Sequence, residues 1–113
     1  MLIARHDGST PVKGWYLELA RPALPMIGFA NQGVNEPHYH RELREVYLVA
    51  RGSSTLLVNG APVSLHAGDV IVVEPGEVHT FIDNTPDYFH FVLHCPPLRG
   101  DKVAADNTPP TSP

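Results

Sequence analysis

The stretch LLVNGAPV, residues 56–63, places an Asn-Gly pair between two short apolar runs. A type I′ turn needs positive φ at both central positions, which Asn59 and Gly60 accept, so this stretch predicts a β-hairpin. A second tight turn is expected at residues 74–77, Glu-Pro-Gly-Glu, because proline presets φ and glycine permits a sharp reversal. These local signals favour antiparallel strands joined by tight turns.

Short β-rich runs continue this pattern on both sides of the hairpin. Twelve prolines and nine glycines interrupt the chain, and no uninterrupted stretch places apolar residues at helical spacing. Strands are predicted instead over residues 15–19, 26–30, 46–50, 55–58, 70–73, 80–82 and 88–94. The series predicts an all-β fold, either a sandwich or a double-sheet β-barrel.

Length and charge restrict the classes of protein to consider. The 113 residues suffice for one domain, expected over residues 1–100, and the polar, proline-rich residues 101–113 are predicted to form a loosely ordered tail. A formal charge of −4 with eight scattered Lys and Arg residues argues against nucleic-acid binding. No apolar run reaches the length of a signal or membrane segment, and Cys95 is the single cysteine. A cytoplasmic protein without a membrane partner is therefore expected.

Four residues have the types and spacing of metal ligands. His38 and His40 stand at i and i+2, so in a strand both project from the same face. Glu45 begins an apolar run shortly afterwards, and His79 follows the Pro-Gly turn, as expected for a ligand from a different strand. Three imidazole nitrogens and one carboxylate oxygen suit one divalent ion, Fe, Mn, Zn, Ni, Co or Cu, without choosing among them. In an octahedral ion they leave two adjacent positions for water or substrate, which favours a reactive site.

Two groups of residues resemble the two sequence motifs of the cupin family. The first comprises Gly33, His38, His40, Glu45 and Gly52, and the second comprises Gly68, Pro75, Gly76, His79 and Asn84. The resemblance implies a double-sheet barrel of the cupin, or jelly-roll, type, with six to eight strands and a metal ion near its centre. Glu42 is a rival carboxylate, but Glu45 has the better spacing to Gly52. Two departures are that Glu74 replaces the family's usual proline and that Asn84 comes one residue late.

Three further residues are candidate catalytic groups: Tyr47, His90 and His94. Tyr47 shares a face with Glu45 in a regular strand, so its hydroxyl could act beside the metal, although packing in the core is the favoured role. His90 and His94 share one face of the last strand, and inward-facing histidines would be substrate contacts or proton shuttles. The opposite face carries Phe89, Phe91 and Leu93. We expect this aromatic face to point inward, because burying phenylalanine costs less.

The resemblance to cupins implies three reaction classes: dioxygenation, sugar-type isomerisation or epimerisation, and decarboxylation or lyase chemistry. We expect a metal-dependent enzyme whose small-molecule substrate chelates the ion through oxygen atoms. A lyase or isomerase would need a base, whereas a dioxygenase could work with the ion and an apolar pocket. The alternative is a non-catalytic barrel that binds or senses a small sugar or organic acid. A homodimer is also expected, because sheet edges and exposed aromatics need cover.

Overall fold

The computed structural model of the chain describes residues 1–6, 12–17 and 24–105. Within these residues there are ten strands: β1 (Lys13–Leu17), β2 (Met26–Ala30), β3 (His38–His40), β4 (Arg44–Arg51), β5 (Ser53–Val58), β6 (Ala61–His66), β7 (Val70–Val73), β8 (His79–Asn84), β9 (Phe89–Cys95) and β10 (Lys102–Ala104). The predicted all-β fold is confirmed, with more strands than the family resemblance implied. Residues 18 and 19 of the first predicted run lie outside the described residues. No helix in the described part of the chain could span a membrane.

The strands form two five-stranded sheets that enclose one core. The first sheet has the order β1-β2-β9-β4-β7 and the second has the order β10-β3-β8-β5-β6. Every strand pairing in them is antiparallel. A single buried cluster combines Tyr47, Val49 and Val73 of the first sheet with Leu56, Leu65 and Phe81 of the second. The apolar contact between the two inner faces therefore holds the sheets together.

Both predicted turns are present: the first joins the antiparallel strands β5 and β6, and the second connects β7 of one sheet to β8 of the other. Asn59 and Gly60 have φ values of 49° and 84°, and Val58 pairs with Ala61 across the turn. Gly76 has a φ of 82°, and the Glu77 amide donates to the Glu74 carbonyl oxygen at 3.2 Å. The second turn leads directly into β8, so it positions His79 at the first residue of that strand.

The domain continues past residue 100, where the loosely ordered tail was expected to begin. Strand β10 pairs with β3, with Val103 opposite Tyr39. The Asp101 carboxylate accepts hydrogen bonds at 3.0 Å from the backbone amides of Glu42 and Leu43. These bonds use backbone groups and one carboxylate, so a polar, proline-rich sequence gives little sign of them. The described residues after 100 are therefore part of the folded chain and not a loose tail, and residues 106–113 lie outside the described residues.

The expectation that the aromatic face of the last strand points inward was wrong. In the pairing of β4 with β9, His94 lies opposite Glu45, Val92 opposite Tyr47 and His90 opposite Val49. Opposite residues of an antiparallel pair share a face, so the two histidines face the interior with Glu45 and Tyr47. The phenylalanines lie on the outer face instead, where Phe91 is half-buried and Phe89 is buried. Phe89 stacks on Phe29 at 5.8 Å, and the His6 ring packs edge-on against Phe89 at 5.3 Å.

Candidate metal centre

The four predicted metal ligands come from both sheets and meet in the interior. His38 and His40 lie on β3, His79 lies opposite His38 on the adjacent β8, and Glu45 reaches them from β4 of the other sheet. One donor atom from each of the four lies within 4.8 Å of the others. The packing of one sheet on the other therefore brings together ligands that are far apart in the sequence.

The geometry of the cluster centres on one oxygen of Glu45. Glu45 Oε1 lies 2.7 Å from His79 Nε2, 3.0 Å from His40 Nε2 and 3.7 Å from His38 Nε2. The rival carboxylate Glu42 is exposed and is not part of this cluster. Of the two candidate carboxylates, the structure therefore places Glu45, which the spacing favoured, beside the three histidines.

Backbone carbonyl groups set the orientation of two of the imidazoles. His38 Nδ1 lies 2.6 Å from the Glu36 carbonyl oxygen, and His79 Nδ1 lies 3.0 Å from the Glu77 carbonyl oxygen. Since a carbonyl oxygen only accepts, each Nδ1 must donate, and the neutral ring then has its lone pair on Nε2. This is the arrangement usual for metal-binding histidines, whose second nitrogen donates to an oxygen of the protein.

His40 supplies the test of whether a metal ion fits this cluster. Its side chain is 6% exposed, and neither of its ring nitrogens makes a hydrogen bond within the described part of the chain, although Nε2 is close to Glu45. A buried polar nitrogen without a partner costs free energy. A bond from Nε2 to a divalent ion would remove part of that cost, so the residues present fit a metal site.

Glu45 is held in its ionised form by its surroundings. Burial would raise the pKa of this carboxyl, but the imidazoles around it lower the pKa well below its usual range. Burial also lowers the pKa of His79, yet the Glu45 carboxylate, which can accept from Nε2–H of the charged ring, outweighs burial and leaves that pKa raised. A bound cation would take the place of that proton on Nε2. The centre therefore contains a buried carboxylate anion that can neutralise part of the charge of a bound cation.

His94 binds the second oxygen of the same carboxylate. His94 Nε2 lies 2.9 Å from Glu45 Oε2, and the His94 ring packs edge-on against Trp15 at 4.8 Å. One carboxylate oxygen thus faces the three metal-site histidines while the other is occupied by His94. This position gives His94 a part in orienting Glu45, in addition to the predicted role beside the substrate.

A cavity of about 190 Å³ opens beside the cluster. Its inner wall includes Tyr47, Phe81, His90 and Val92, and its exposed rim includes Lys13, Trp15, Gln32, Glu36 and Lys102. The Tyr47 hydroxyl lies 3.4 Å from His79 Nε2. Burial and the charge of Glu45 raise the pKa of Tyr47 well above its usual value, so the hydroxyl stays protonated.

The late position of Asn84 in the second motif is absorbed by a β-bulge. The register of β5 against β8 shifts so that Thr55 pairs with Asp83 but Leu56 pairs with Phe81, which leaves one extra residue on β8. Asn84 still accepts from the Gly33 amide at 3.0 Å and donates to the Gly33 carbonyl oxygen at 2.7 Å. The two motifs therefore remain joined despite this departure.

Sequence reasoning missed most of the rim and one buried partner. The rim residues Lys13 and Lys102 lie on edge strands that carry no motif, and no local signal points to them. The buried Tyr88, in contrast, stands two residues before His90, and its hydroxyl lies 2.6 Å from His90 Nδ1. The i, i+2 spacing in a β-rich run is a signal that could have paired them.

Comparison with known proteins agrees with this architecture. No curated protein sequence matches the chain. Similar solved structures include a protein with a double-stranded β-helix domain from Klebsiella pneumoniae, 20% identical over 92% of this chain and 91% of that one with a TM-score of 0.70. KdgF from Halomonas sp. is 22% identical over 85% and 90% of the two chains, with a TM-score of 0.66. Streptomyces Pac13, described as a nucleoside dehydratase, is 14% identical over 89% and 91%, also with a TM-score of 0.66.

Identities this low show the shared fold alone. A family model described as Cupin domain matches residues 26–95, which include all four clustered ligands and Tyr47, His90 and His94. Because that match covers more than half of the chain, the chain belongs to the cupin family.

Proposed function

We propose that this cupin is a metal-dependent enzyme that acts on a small, oxygen-bearing molecule by lyase or isomerase chemistry. The observation that carries the proposal is the convergence of three histidines and Glu45 beside a cavity that also presents the Tyr47 hydroxyl. A purely structural metal site would have no need of an adjoining cavity.

His38, His40, Glu45 and His79 would hold the ion, and a bound divalent metal would supply Lewis acidity toward a substrate oxygen. One carboxylate and three neutral imidazoles would leave a bound divalent ion with part of its positive charge. A substrate that chelates through a hydroxyl, carbonyl or carboxylate group would suit that charge. A hydroxy acid or a sugar acid has such groups.

Tyr47 is suited to donate a proton or a hydrogen bond to the substrate. Its hydroxyl is buried and remains protonated, because its pKa is raised by burial and by Glu45. A hydroxyl with a raised pKa is a poor base, so the acid role is favoured over the basic one. In an elimination it would protonate the leaving oxygen.

His94 is the candidate base of the cavity. When its Nε2–H donates to Glu45 Oε2, the neutral ring has its lone pair on Nδ1, which can accept a proton. A carboxylate paired with one ring nitrogen stabilises the imidazolium that forms, as in catalytic triads. Tyr47 and His94 then provide an acid and a base in one cavity, which supports lyase or isomerase chemistry over dioxygenation. The description of Pac13 as a dehydratase supports the same class.

The first test is elemental analysis of protein purified without a metal-affinity tag. Wild type is compared with His38→Ala, His79→Ala and the control His66→Ala, whose side chain is exposed and away from the cluster. We expect about one ion per chain in wild type and control, and loss of the ion in the other two variants. No metal after reconstitution would contradict the proposal and leave non-catalytic binding as the better interpretation.

The second test separates the reaction classes. Metal-loaded protein is incubated with a panel of hydroxy acids and sugar acids, and products are followed by NMR together with oxygen consumption. We expect elimination or isomerisation without oxygen uptake, and a lower kcat in Tyr47→Phe with the metal content unchanged. Oxygen uptake by an iron-loaded protein would refute the lyase or isomerase assignment in favour of dioxygenation.

A further inference from the structure

We infer that His90 is a fixed neutral hydrogen-bond donor, which binds an acceptor oxygen of the substrate through its Nε2–H and does not shuttle protons. The inference rests on the proposed function, since the substrate is the molecule that occupies the cavity beside the metal cluster. It also assigns a substrate class: molecules that carry, besides the oxygen atoms that chelate the ion, one further oxygen atom that can accept from His90.

The contact between Tyr88 and His90 determines which ring nitrogen carries the proton. Tyr88 is 1% exposed and His90 is 3% exposed, and their hydroxyl and Nδ1 atoms lie 2.6 Å apart. Across the described residues, this is the one hydrogen bond that the Tyr88 hydroxyl makes. A buried O–H group needs an acceptor, so Tyr88 donates and Nδ1 accepts. A neutral imidazole that accepts at Nδ1 has its proton on Nε2.

Aromatic side chains pack against the His90 ring beside the cavity. The His90 ring lies edge-on to Tyr47 at 4.9 Å and at a tilt to Phe81 at 5.2 Å. The same ring borders the cavity, which Phe81, Tyr47 and Val92 also line. With Nδ1 bound to Tyr88, Nε2 is the ring nitrogen that remains for a molecule in the cavity.

The surroundings of His90 disfavour its charged form. Burial lowers the pKa of His90 to about 4, even though the negative charge of Glu45 acts in the opposite direction. The other titratable groups that face the ring are the Tyr47 and Tyr88 hydroxyls, and burial raises the pKa of both. With the Tyr88 O–H donated to His90 Nδ1, the Tyr47 O–H and the His90 Nε2–H are the donors that remain for a molecule in the cavity, which suits recognition of an oxygen more than proton transfer.

A fixed donor in an apolar wall selects between substrates by the oxygen it meets. A molecule that places a hydroxyl, carbonyl or carboxylate oxygen against Nε2–H gains a hydrogen bond. A molecule with a methyl group there leaves the N–H unpaired, and sites of this kind discriminate strongly against such analogues. We therefore expect 2,4-dihydroxybutyrate to bind better than 2-hydroxyvalerate, which has the same chelating end and a methyl group in place of the distal hydroxyl.

The direct test is the protonation state of His90 in the zinc-loaded protein. Nitrogen-15 NMR of the histidine side chains distinguishes an Nε2–H ring from an Nδ1–H ring and from imidazolium. We expect the neutral Nε2–H form from pH 8 to pH 5, and a mixture of tautomers in Tyr88→Phe. A ring protonated on Nδ1, or one charged at pH 6, would overturn the inference.

The binding test uses two variants that separate the two nitrogens. His90→Asn retains an acceptor near the Nδ1 position and removes the distal donor, whereas His90→Gln retains a donor near the Nε2 position. Calorimetric titration with the two acids should give about a tenfold preference for 2,4-dihydroxybutyrate in wild type. The preference should disappear in His90→Asn, so that the two acids bind equally well, and it should persist in His90→Gln.

The outcomes separate this inference from the proposed function. Metal content is measured on every variant first, and the titrations are repeated on metal-free protein if the chain does not load. Suppose that the protein binds no metal, but His90 is still the Nε2–H tautomer and 2,4-dihydroxybutyrate is still preferred. That result would refute the proposed function and leave the role of His90 standing. Equal binding of the two acids by wild type, or an unchanged preference in His90→Asn, would refute the role of His90.

Discussion

The stability of the fold should depend on pH through His90. The folded-state pKa of His90 is about 4, against 6.5 for an unperturbed histidine, because burial disfavours the imidazolium form. Between these two values the unfolded chain binds a proton that the folded chain does not. The stabilisation that comes from keeping His90 neutral is therefore fully present well above pH 6.5 and is lost as the pH falls toward 4. The linkage relation gives a loss of about 2 kcal/mol at pH 5 and about 3 kcal/mol below pH 4.

The measurement is urea unfolding of the metal-free protein at pH 8 and pH 5. Wild type is compared with His90→Asn, which keeps an acceptor for the Tyr88 hydroxyl and cannot ionise, and with His66→Asn, which alters an exposed histidine. From pH 8 to pH 5, the free energy of unfolding should fall in both proteins, but by about 2 kcal/mol less in His90→Asn than in wild type. His66→Asn should follow wild type. An equal loss in wild type and His90→Asn would refute the reasoning, because a titrating group other than His90 would then account for the pH dependence.

Three further predictions concern the metal centre and the assembly. Glu45→Gln should lose at least tenfold in metal affinity in competition with a chelator, while Glu42→Gln should bind as wild type does; equal losses would reject Glu45 as the ligand. His94→Phe should weaken metal binding by about tenfold or more, since Glu45 Oε2 loses its partner; an unchanged affinity would remove the orienting role. The predicted homodimer remains a prediction, and light scattering should give twice the chain mass. We expect the dimer to cover the apolar outer face of the first sheet, where Val70 and Val72 are 62% and 48% exposed. Val72→Glu should then give monomers. A monomeric wild type would contradict the predicted dimer.

Features that depend on neighbouring residues could be predicted from the sequence. Asn59-Gly60 forms its turn because the two residues tolerate positive φ, whatever packs around them. His38 and His40 share a face because side chains alternate along a strand. The choice of Glu45 over Glu42 also followed from local spacing, together with the resemblance to the cupin motifs.

Features that depend on pairing between distant strands could not be predicted in the same way. Phenylalanine and histidine alternate along β9, and both faces of that strand bury side chains, so composition alone did not identify the inner one. The register with β4 decides it, because His94 lies opposite Glu45. Strand β10 was missed for a related reason: its hydrogen bonds to β3 come from backbone groups, which every sequence carries.

The sequence by itself determined the class of fold, the two turns and the four residues able to bind a metal ion, because each follows from backbone preferences or from spacing within a few residues. Only the tertiary structure decided that His94 holds the second oxygen of Glu45 and that Tyr88 sets the protonation of His90. These contacts arise from strand register, the packing of two sheets and the burial of polar groups. The hydrogen bonding and charge of a buried side chain depend on those features, which are properties of the folded chain as a whole.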